Sequence, residues 1–210
     1  MINFLAFLGW NPGTTQEIFS LDDLIKAFSV ERIGKAGTKF DIHKAQWFNQ
    51  QYLRAKSNDE LAAYLLASLA KENISCSTEK ALKIVSVMKE RATFPNDFWE
   101  QGKFLFHAPT TFDEGIASKK WNDDAVKVLT SYKTELVTLP SFDATTAKAT
   151  LEKVTASLGI STGKILQALR LSMTGAGAGL DLMAVMEILG KEEVIKRIDY
   201  ALKTLNVNVV

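Results

Sequence analysis

Apolar residues recur at intervals of three and four positions along most of the chain, the spacing that places them on one face of an α-helix. Ser57 and Glu60 form a predicted capping box, after which Leu61 and Leu65 share one face. Capping residues predict further helices that begin at Ser20, Asp41 and Ser77, and Pro95 is predicted as the first residue of another. Later helices are predicted to span about 122–137, 144–157, 161–173, 181–189 and 191–204, with Ser161 as the cap of the third of these. Strict alternation of apolar and polar residues is scarce, so the pattern predicts an all-α fold with little sheet.

The longest apolar run, residues 2–10, predicts a core helix that ends at a turn over residues 11–13. The run is too short to span a bilayer, which needs about 20 residues. It also lacks the basic leader and the Ala-x-Ala cleavage site of a signal peptide. Because no capping residue precedes it, we expect the chain to be a fragment of a larger protein that does not associate with membranes.

The composition is that of a globular protein, with 210 residues of which 47% are hydrophobic and 23% charged. This size suits one large domain or two to three small ones, and the apolar content excludes wholesale disorder. Cys76 is the only cysteine, which excludes an internal disulfide and a cysteine-based zinc site. Its isolation is consistent with a reducing compartment, and we expect a cytoplasmic protein.

The formal net charge of +1 conceals a local concentration of basic residues. The charge is +2 over residues 1–57, −1 over 58–103 and 0 over 104–210, and the window 32–56 alone carries +5. Aromatic side chains are interleaved with these cations, a combination that suits contacts to phosphates and to sugars or bases. The same pattern fits a solvated helix face with a buried aromatic side, and both interpretations stay open.

Patterns that would indicate an active site are incomplete. Residues 159–165 resemble a phosphate-binding loop but have three residues between the glycines, and no Ser or Thr follows Lys164. The glycines at 175–179 do not have the dinucleotide-binding spacing. The two histidines, His43 and His107, are far apart and have no cysteine nearby. We therefore predict no catalytic residue, no metal site and no cofactor in this chain.

Five collinear strings resemble bacterial glutamyl-tRNA synthetases. Residues 2–12 (INFLAFLGWNP) are similar to the segment that follows the KMSKS loop, and residues 17–25 (EIFSLDDLI) to the helix after it. Residues 39–54 match the family pattern of an FD pair followed by K-x-x-W-x-N-x-x-Y-I-R. Residues 169–175 (LRLSMTG) resemble L-R-x-A-L-T-G, and residues 188–192 (ILGKE) resemble L-L-G-K-E.

The resemblance covers essentially the whole chain but includes neither the HIGH-type motif nor the KMSKS loop of the ATP-binding fold. It implies an all-α C-terminal part, with a helical stem-contact region over 1–57 followed by two helical anticodon-binding subdomains over 58–103 and 104–210. It implies tRNA(Glu) and the enzyme's own N-terminal catalytic domain as partners. The parent enzyme would attach glutamate to tRNA with ATP and Mg²⁺, whereas this chain alone, which we expect to be a monomer, would be inactive.

Four residues match the stem-contact motif, namely Lys44, Trp47, Tyr52 and Arg54. The resemblance implies that this region touches the inner side of the bent tRNA. Trp47 and Tyr52 also fit a simpler interpretation in which their rings pack the helix. Lys44 and Arg54 are the better candidates for phosphate contacts, because each carries a cation.

Arg91 lies in residues 87–94 (VMKERATF), which resemble the K-E-R-A segment of the family. The resemblance implies that Arg91 reads the third anticodon base, which separates glutamate from glutamine anticodons. Arg presents fixed donors that match the acceptors on the pairing edge of cytosine, whereas guanine presents donors there and would be rejected. The alternative is an Arg that interacts favourably with the C-terminal dipole of a helix.

The resemblance places Arg170, Thr174 and Gly175 in the second anticodon-binding motif, and Leu182 where an apolar contact to a base is plausible. The intervening loop, residues 176–181, departs from the family because it is rich in Gly and Ala, which leaves backbone contacts. Two alternatives stay open: a helical protein-interaction module without RNA binding, and specificity for glutamine, against which Arg91 argues.

Overall fold

A computed structural model describes residues 2–35 and 37–205 of the chain. Within these residues it contains twelve α-helices, two short 3-10 helices and no strand, with a single isolated bridge between Trp10 and Ile33. The prediction of an all-α fold is confirmed. None of the described helices is long and apolar enough to cross a membrane.

The N-terminal region contains three α-helices: α1 (Ile2–Phe7), α2 (Leu21–Ala27) and α3 (Ile42–Ala55). The prediction of a core helix over residues 2–10 is wrong in two respects. The helix ends at Phe7 because Leu8 and Gly9 continue it only as turns, and Ile2 and Leu5 are half-exposed. Trp10, Phe19 and Leu24 form a small apolar cluster of their own beneath the helix.

The remaining nine α-helices form the larger part of the molecule. They are α4 (Asn58–Lys71), α5 (Thr78–Met88), α6 (Asp97–Glu100), α7 (Glu114–Lys120), α8 (Asp123–Thr138), α9 (Ala144–Ser157), α10 (Thr162–Thr174), α11 (Leu182–Leu189) and α12 (Lys191–Leu205). The 3-10 helices are Val30–Arg32 and Lys103–Leu105.

Most helices begin where their capping residues predict. The capping box at Ser57 and Glu60 is present, and Ser20, Asp41 and Ser77 accept hydrogen bonds from the first turns of α2, α3 and α5. These caps act locally, since each satisfies backbone N–H groups that have no partner inside the helix.

Three details differ from the prediction. Pro95 lies in a turn two residues before α6, and the carboxylate of Asp97 closes that turn by accepting the N–H groups of Thr93 and Phe94. Ser161 precedes α10 but makes no capping hydrogen bond. Helix α7 was not predicted, because this short helix carries few apolar residues.

A continuous apolar core runs from Leu53 to Leu205 through helices α4 to α12. The predicted boundary between 57 and 58 coincides with the junction of α3 and α4. The core does not divide at the predicted boundary between 103 and 104, since α11 packs against both α5 and the 3-10 helix at Lys103–Leu105. The division into two anticodon-binding subdomains stays a prediction.

Candidate nucleic-acid interface

A surface cavity of about 270 Å³ brings the Arg91 segment together with the Gly/Ala-rich loop. Arg91, Gln101 and Phe104 line the cavity together with Thr174 and the loop residues 176 and 178–180. The two motifs are far apart in sequence, and only the packing of α5 and α10 in one core makes them neighbours. We call this the Arg91 cavity.

Arg91 lies three residues beyond the end of α5, in a tight turn. Its N–H and that of Ala92 both donate to the Met88 carbonyl, at 2.9 and 3.0 Å. Arg91 itself is exposed, and among the described residues its guanidinium has no hydrogen-bond or ion-pair partner. The five guanidinium donors of Arg91 are therefore free at the edge of the cavity, and they do not cap the carbonyls of α5.

Arg170 has a different environment from Arg91. Its Nη1 donates to the carbonyl of Leu180 at 2.6 Å, which ties α10 to the far end of the loop. Burial lowers the pKa of Arg170, the charge of Asp181 opposes this shift, and the charge of Arg91 adds to it. Because the charge of Arg91 contributes to this pKa shift, the two predicted anticodon residues lie near enough to interact electrostatically. Arg170 is already used in part to hold the loop.

Gly175 ends α10 in the left-handed conformation, with φ of 75°. Its carbonyl accepts the N–H of Asp113, and a Cβ at this position would lie 2.6 Å from the carbonyl oxygen of Thr111. The close backbone approach that these glycines predict is therefore present, and the approaching backbone belongs to this chain. The hydroxyl of Thr174 donates to the Arg170 carbonyl at 3.0 Å and accepts the N–H of Ala176 at 3.2 Å, which closes the same turn.

A second cavity of about 420 Å³ is lined in part by Arg170. Lys148, Leu166 and Met183 line it together with Leu182. Leu182 is only 5% exposed, so its side chain forms the floor of this cavity and belongs to the core. The predicted contact between Leu182 and a base stays a prediction.

The stem-contact residues lie on α3, and none of them lines the Arg91 cavity. Lys44 Nζ is 3.0 Å from a carboxylate oxygen of Glu17 and lies 5.6 Å from the centre of the Phe7 ring. Trp47 is partly exposed and packs edge-on against Phe48. Both side chains stay accessible on one surface of the N-terminal region.

Tyr52 and Arg54 are occupied by the protein itself. The Tyr52 hydroxyl lies 2.7 Å from Asn3 Oδ1 and 2.8 Å from the Phe19 carbonyl oxygen, and burial raises the pKa of Tyr52. Arg54 donates to the carbonyl of Glu90 and forms an ion pair with the Glu90 carboxylate. Tyr52 thus fits the packing interpretation, and the phosphate contact predicted for Arg54 competes with Glu90.

Two residues of this region were missed at the level of sequence. Gln101 lines the Arg91 cavity, and Asn49 of α3 donates to the carbonyl of Thr93. Asn49 is the N of the quoted K-x-x-W-x-N pattern, so the motif contained the signal, whereas Gln101 lies outside every string that resembles the family. Among the described residues, no group of three or more His, Cys, Asp or Glu side chains could hold a metal ion.

Comparisons with known proteins converge on one family. The model of the anticodon binding domain family matches residues 56–202. The chain is 52% identical to a glutamate–tRNA ligase of Cytophaga hutchinsonii and 45% identical to one of Amoebophilus asiaticus, over 97% and 98% of this chain. It spans 40% of the length of each of these relatives.

Solved structures give the same result. A glutamate–tRNA ligase of Elizabethkingia meningosepticum superposes with a TM-score of 0.92, at 42% identity. The glutamate–tRNA synthetase of Elizabethkingia anophelis superposes with a TM-score of 0.89, also at 42% identity. Each superposition covers 97% of this chain and 40% of the other chain.

Proposed function

The chain belongs to the anticodon-binding domain family, and from this premise we propose that it is the tRNA-recognition part of a glutamate–tRNA ligase. In this proposal the chain binds the anticodon and the stem of tRNA(Glu) and carries no catalytic residue. Its contribution to the reaction is positioning, because anticodon and stem contacts hold the acceptor end of the tRNA near a remote active site.

The observation that carries the proposal is the free guanidinium of Arg91 at the edge of a cavity shared with the 174–180 loop. A cytosine that enters this cavity offers its N3 and O2 acceptors to Arg91, whereas guanine offers N–H donors and repels it. A good contact between Arg and a base contributes about 1–3 kcal/mol of discrimination, on the scale known from DNA. Arg91 would then favour a glutamate anticodon over a glutamine anticodon by roughly 5- to 150-fold.

The second anticodon motif acts mainly through backbone in this proposal. Arg170 donates to the carbonyl of Leu180, the Thr174 hydroxyl accepts the N–H of Ala176, and Gly175 gives the loop the required turn. The Gly/Ala-rich segment that follows lets a nucleotide approach its N–H and carbonyl groups closely. Leu182 contributes an apolar floor to the neighbouring cavity.

The stem side of the interface is proposed to rest on Lys44 and Trp47. Lys44 can exchange its exposed ion pair with Glu17 for a phosphate, because such surface pairs contribute only about 0–1 kcal/mol. The ring of Trp47 presents a flat apolar face beside it. We assign Tyr52 to packing of the N-terminal region on the geometry described above.

ATP and Mg²⁺ belong, in this proposal, to the part of the parent enzyme outside this chain. The N-terminal region would contact that part through an unusually apolar surface. Of the fifteen exposed large hydrophobic side chains among the described residues, ten lie between residues 2 and 47, including Ile25, Val30 and Phe40. Apolar surface of this density is typical of a protein interface.

Amide hydrogen exchange tests this contact. Residues 21–33 of the isolated chain should exchange faster than the same residues in the full-length ligase, because the contact protects them only in the parent. Residues 61–69 of α4, whose Leu61, Leu65 and Leu69 are buried in the core, serve as the control, and they should exchange equally in both. Equal exchange of residues 21–33 in the two proteins would remove the catalytic part as the partner of this surface.

A tRNA binding isotherm at two salt concentrations separates the proposal from a protein-interaction module. With about three phosphate contacts, affinity should fall roughly 20- to 40-fold between about 50 and 200 mM salt. Lys44→Gln should reduce the slope of log affinity against log salt concentration by the amount that corresponds to about one phosphate contact. Lys196→Gln, on the exposed side of α12, should leave that slope unchanged. A flat salt dependence, or no binding to tRNA, would favour the protein-interaction module, for which the apolar N-terminal surface is the supporting observation.

A further inference from the structure

Side chains of α3 hold the backbone of the segment that carries Arg91. The amide of Asn49 donates to the carbonyl of Thr93, and the amide of Gln50 donates to the carbonyl of Glu90 at 3.2 Å. The guanidinium of Arg54 donates to the same Glu90 carbonyl. These donors lie 36 to 44 residues before their acceptors in sequence, so they are tertiary contacts and not helix caps.

Side chains of α3 and of the Arg91 segment both reinforce the contact between these two parts of the chain. Arg54 Nε lies 3.1 Å from a carboxylate oxygen of Glu90, an ion pair whose angle is unsuitable for a hydrogen bond. In the opposite direction, Lys89 Nζ donates to the Lys56 carbonyl at 2.5 Å and to Asn58 Oδ1 at 3.2 Å. The segment 89–93 is therefore fixed at both ends against α3 and the junction that follows it.

Arg91 occupies the middle of this fixed segment. The carbonyls that follow the end of α5 have no partner within that helix, and without α3 they would bond to water. Because α3 satisfies the carbonyls on either side of Arg91, the backbone at Arg91 cannot rotate freely. The direction of the guanidinium in the Arg91 cavity then depends on donors that do not touch the cavity.

Helix α3 is anchored equally well at its other face. Phe48 is buried against Phe4 and Phe7 of α1, and Tyr52 bonds to Asn3 and to the carbonyl of Phe19. The support of the Arg91 segment is therefore a rigid helix tied to the N-terminal region, and not a mobile side chain on a loop.

We propose that Asn49, Gln50 and Arg54 are positioning residues that set the selectivity of Arg91 for the third anticodon base. The inference rests on the proposed function and deepens it. It also changes the role of Arg54, which matches a stem-contact motif but directs its cation to Glu90. A phosphate at Arg54 would have to displace both the carboxylate and the carbonyl of that residue.

The test compares the 210-residue chain with an Asn49→Leu/Arg54→Lys double variant. Anticodon stem-loops that carry C or G as the third anticodon base are the probes, and dissociation constants are measured at two salt concentrations. Lysine keeps the positive charge of Arg54 but lacks the planar guanidinium that contacts the Glu90 carbonyl and carboxylate together. Leucine removes the amide of Asn49 that donates to the Thr93 carbonyl. We expect the C-over-G preference to fall about fivefold while the salt slope stays unchanged.

Two control variants are matched to these positions. Gln46→Leu changes an exposed amide of the same helix that has no hydrogen-bond partner among the described residues, and it should leave the preference unchanged. Arg91→Gln should abolish the preference. If the unsubstituted chain shows no preference for C, the proposed function fails and the failure does not concern α3.

Two results would overturn the inference itself. The first is a double variant that keeps the full preference while Arg91→Gln loses it. The second comes from Arg54→Gln, which removes the cation: an equal loss of affinity for both stem-loops, with the dependence of affinity on salt reduced by about one phosphate contact, would return Arg54 to the phosphate role. If the double variant does not fold, as judged by circular dichroism, Arg54→Lys alone decides, and an unchanged preference in that variant is again contradictory.

Discussion

Replacing Gly175 by alanine tests whether the turn before the Gly/Ala-rich loop is set by close backbone packing. Gly175 has φ of 75°, where a residue with a Cβ is strained by roughly 1–2 kcal/mol. The new Cβ would also lie 2.6 Å from the Thr111 carbonyl oxygen and 3.0 Å from Pro109 Cβ. Both neighbours belong to the segment before α7, and neither is the flexible end of a long side chain.

The expected loss of stability follows from the backbone segment that the new methyl group displaces. Separating Thr111 from the new methyl group shifts the segment that is joined to Gly175 by the hydrogen bond from the Asp113 N–H, at 2.8 Å. Loss of that bond adds about 0.5–1.5 kcal/mol. The free energy of unfolding should therefore fall by roughly 1.5–3.5 kcal/mol, which lowers Tm by about 3–14 °C for a chain of this size.

Gly159→Ala is the matched control. Gly159 also has a left-handed φ, 67°, but a Cβ there would meet nothing within 4 Å. It should show the backbone strain alone, so Gly175→Ala should cost about 0.5–1.5 kcal/mol more. Urea denaturation followed by circular dichroism measures both. Equal losses in the two variants would refute the account of close packing at Thr111.

Two further predictions concern α12. Arg197 is 2% exposed and donates to the carbonyls of Phe104 and Met173. Arg197→Met leaves both carbonyls without a partner, so it should destabilise the chain by roughly 2–5 kcal/mol in urea denaturation. The control Lys196→Met, on the exposed face of α12, should change stability little. Lys133 and Lys203 lower the pKa of Asp199 to about 2, below its ordinary value, so its ion pairs stabilise the fold above about pH 4 and are lost as pH falls toward 2. Asp199→Asn should thus be less stable than the unsubstituted chain at pH 7, and thermal melts should show the difference shrinking between about pH 4 and pH 2; a constant difference would contradict this.

The helices could be predicted because their signals are local. A Ser or Asp at the N-cap, as at Ser57 and Asp41, bonds to amides three residues away, and apolar spacing of three and four marks the face that meets the core. Helix α7 and the early end of α1 were missed for the same reason, since α7 carries few apolar residues and α1 ends in turns without a strong stop residue.

The residues of the candidate site could be predicted from the sequence, but their proximity in the fold could not. The family resemblance selected Arg91 and Arg170, yet their proximity depends on the packing of α5, α10 and the loop after it. The role of Arg54 was beyond prediction, because its cation is equally suited to a phosphate and to Glu90. Arg197 lies in a predicted helix but in no motif, and the two carbonyls that accept its hydrogen bonds explain its burial.

The most direct test of the central claim is the affinity of the 210-residue chain for two anticodon stem-loops that differ only in the third anticodon base, C or G. The account predicts a preference for C of roughly 5- to 150-fold, which Arg91→Gln reduces to near unity without a matching loss of affinity for the G stem-loop. Equal binding of the two stem-loops by the unsubstituted chain, or a preference that survives Arg91→Gln, would contradict it.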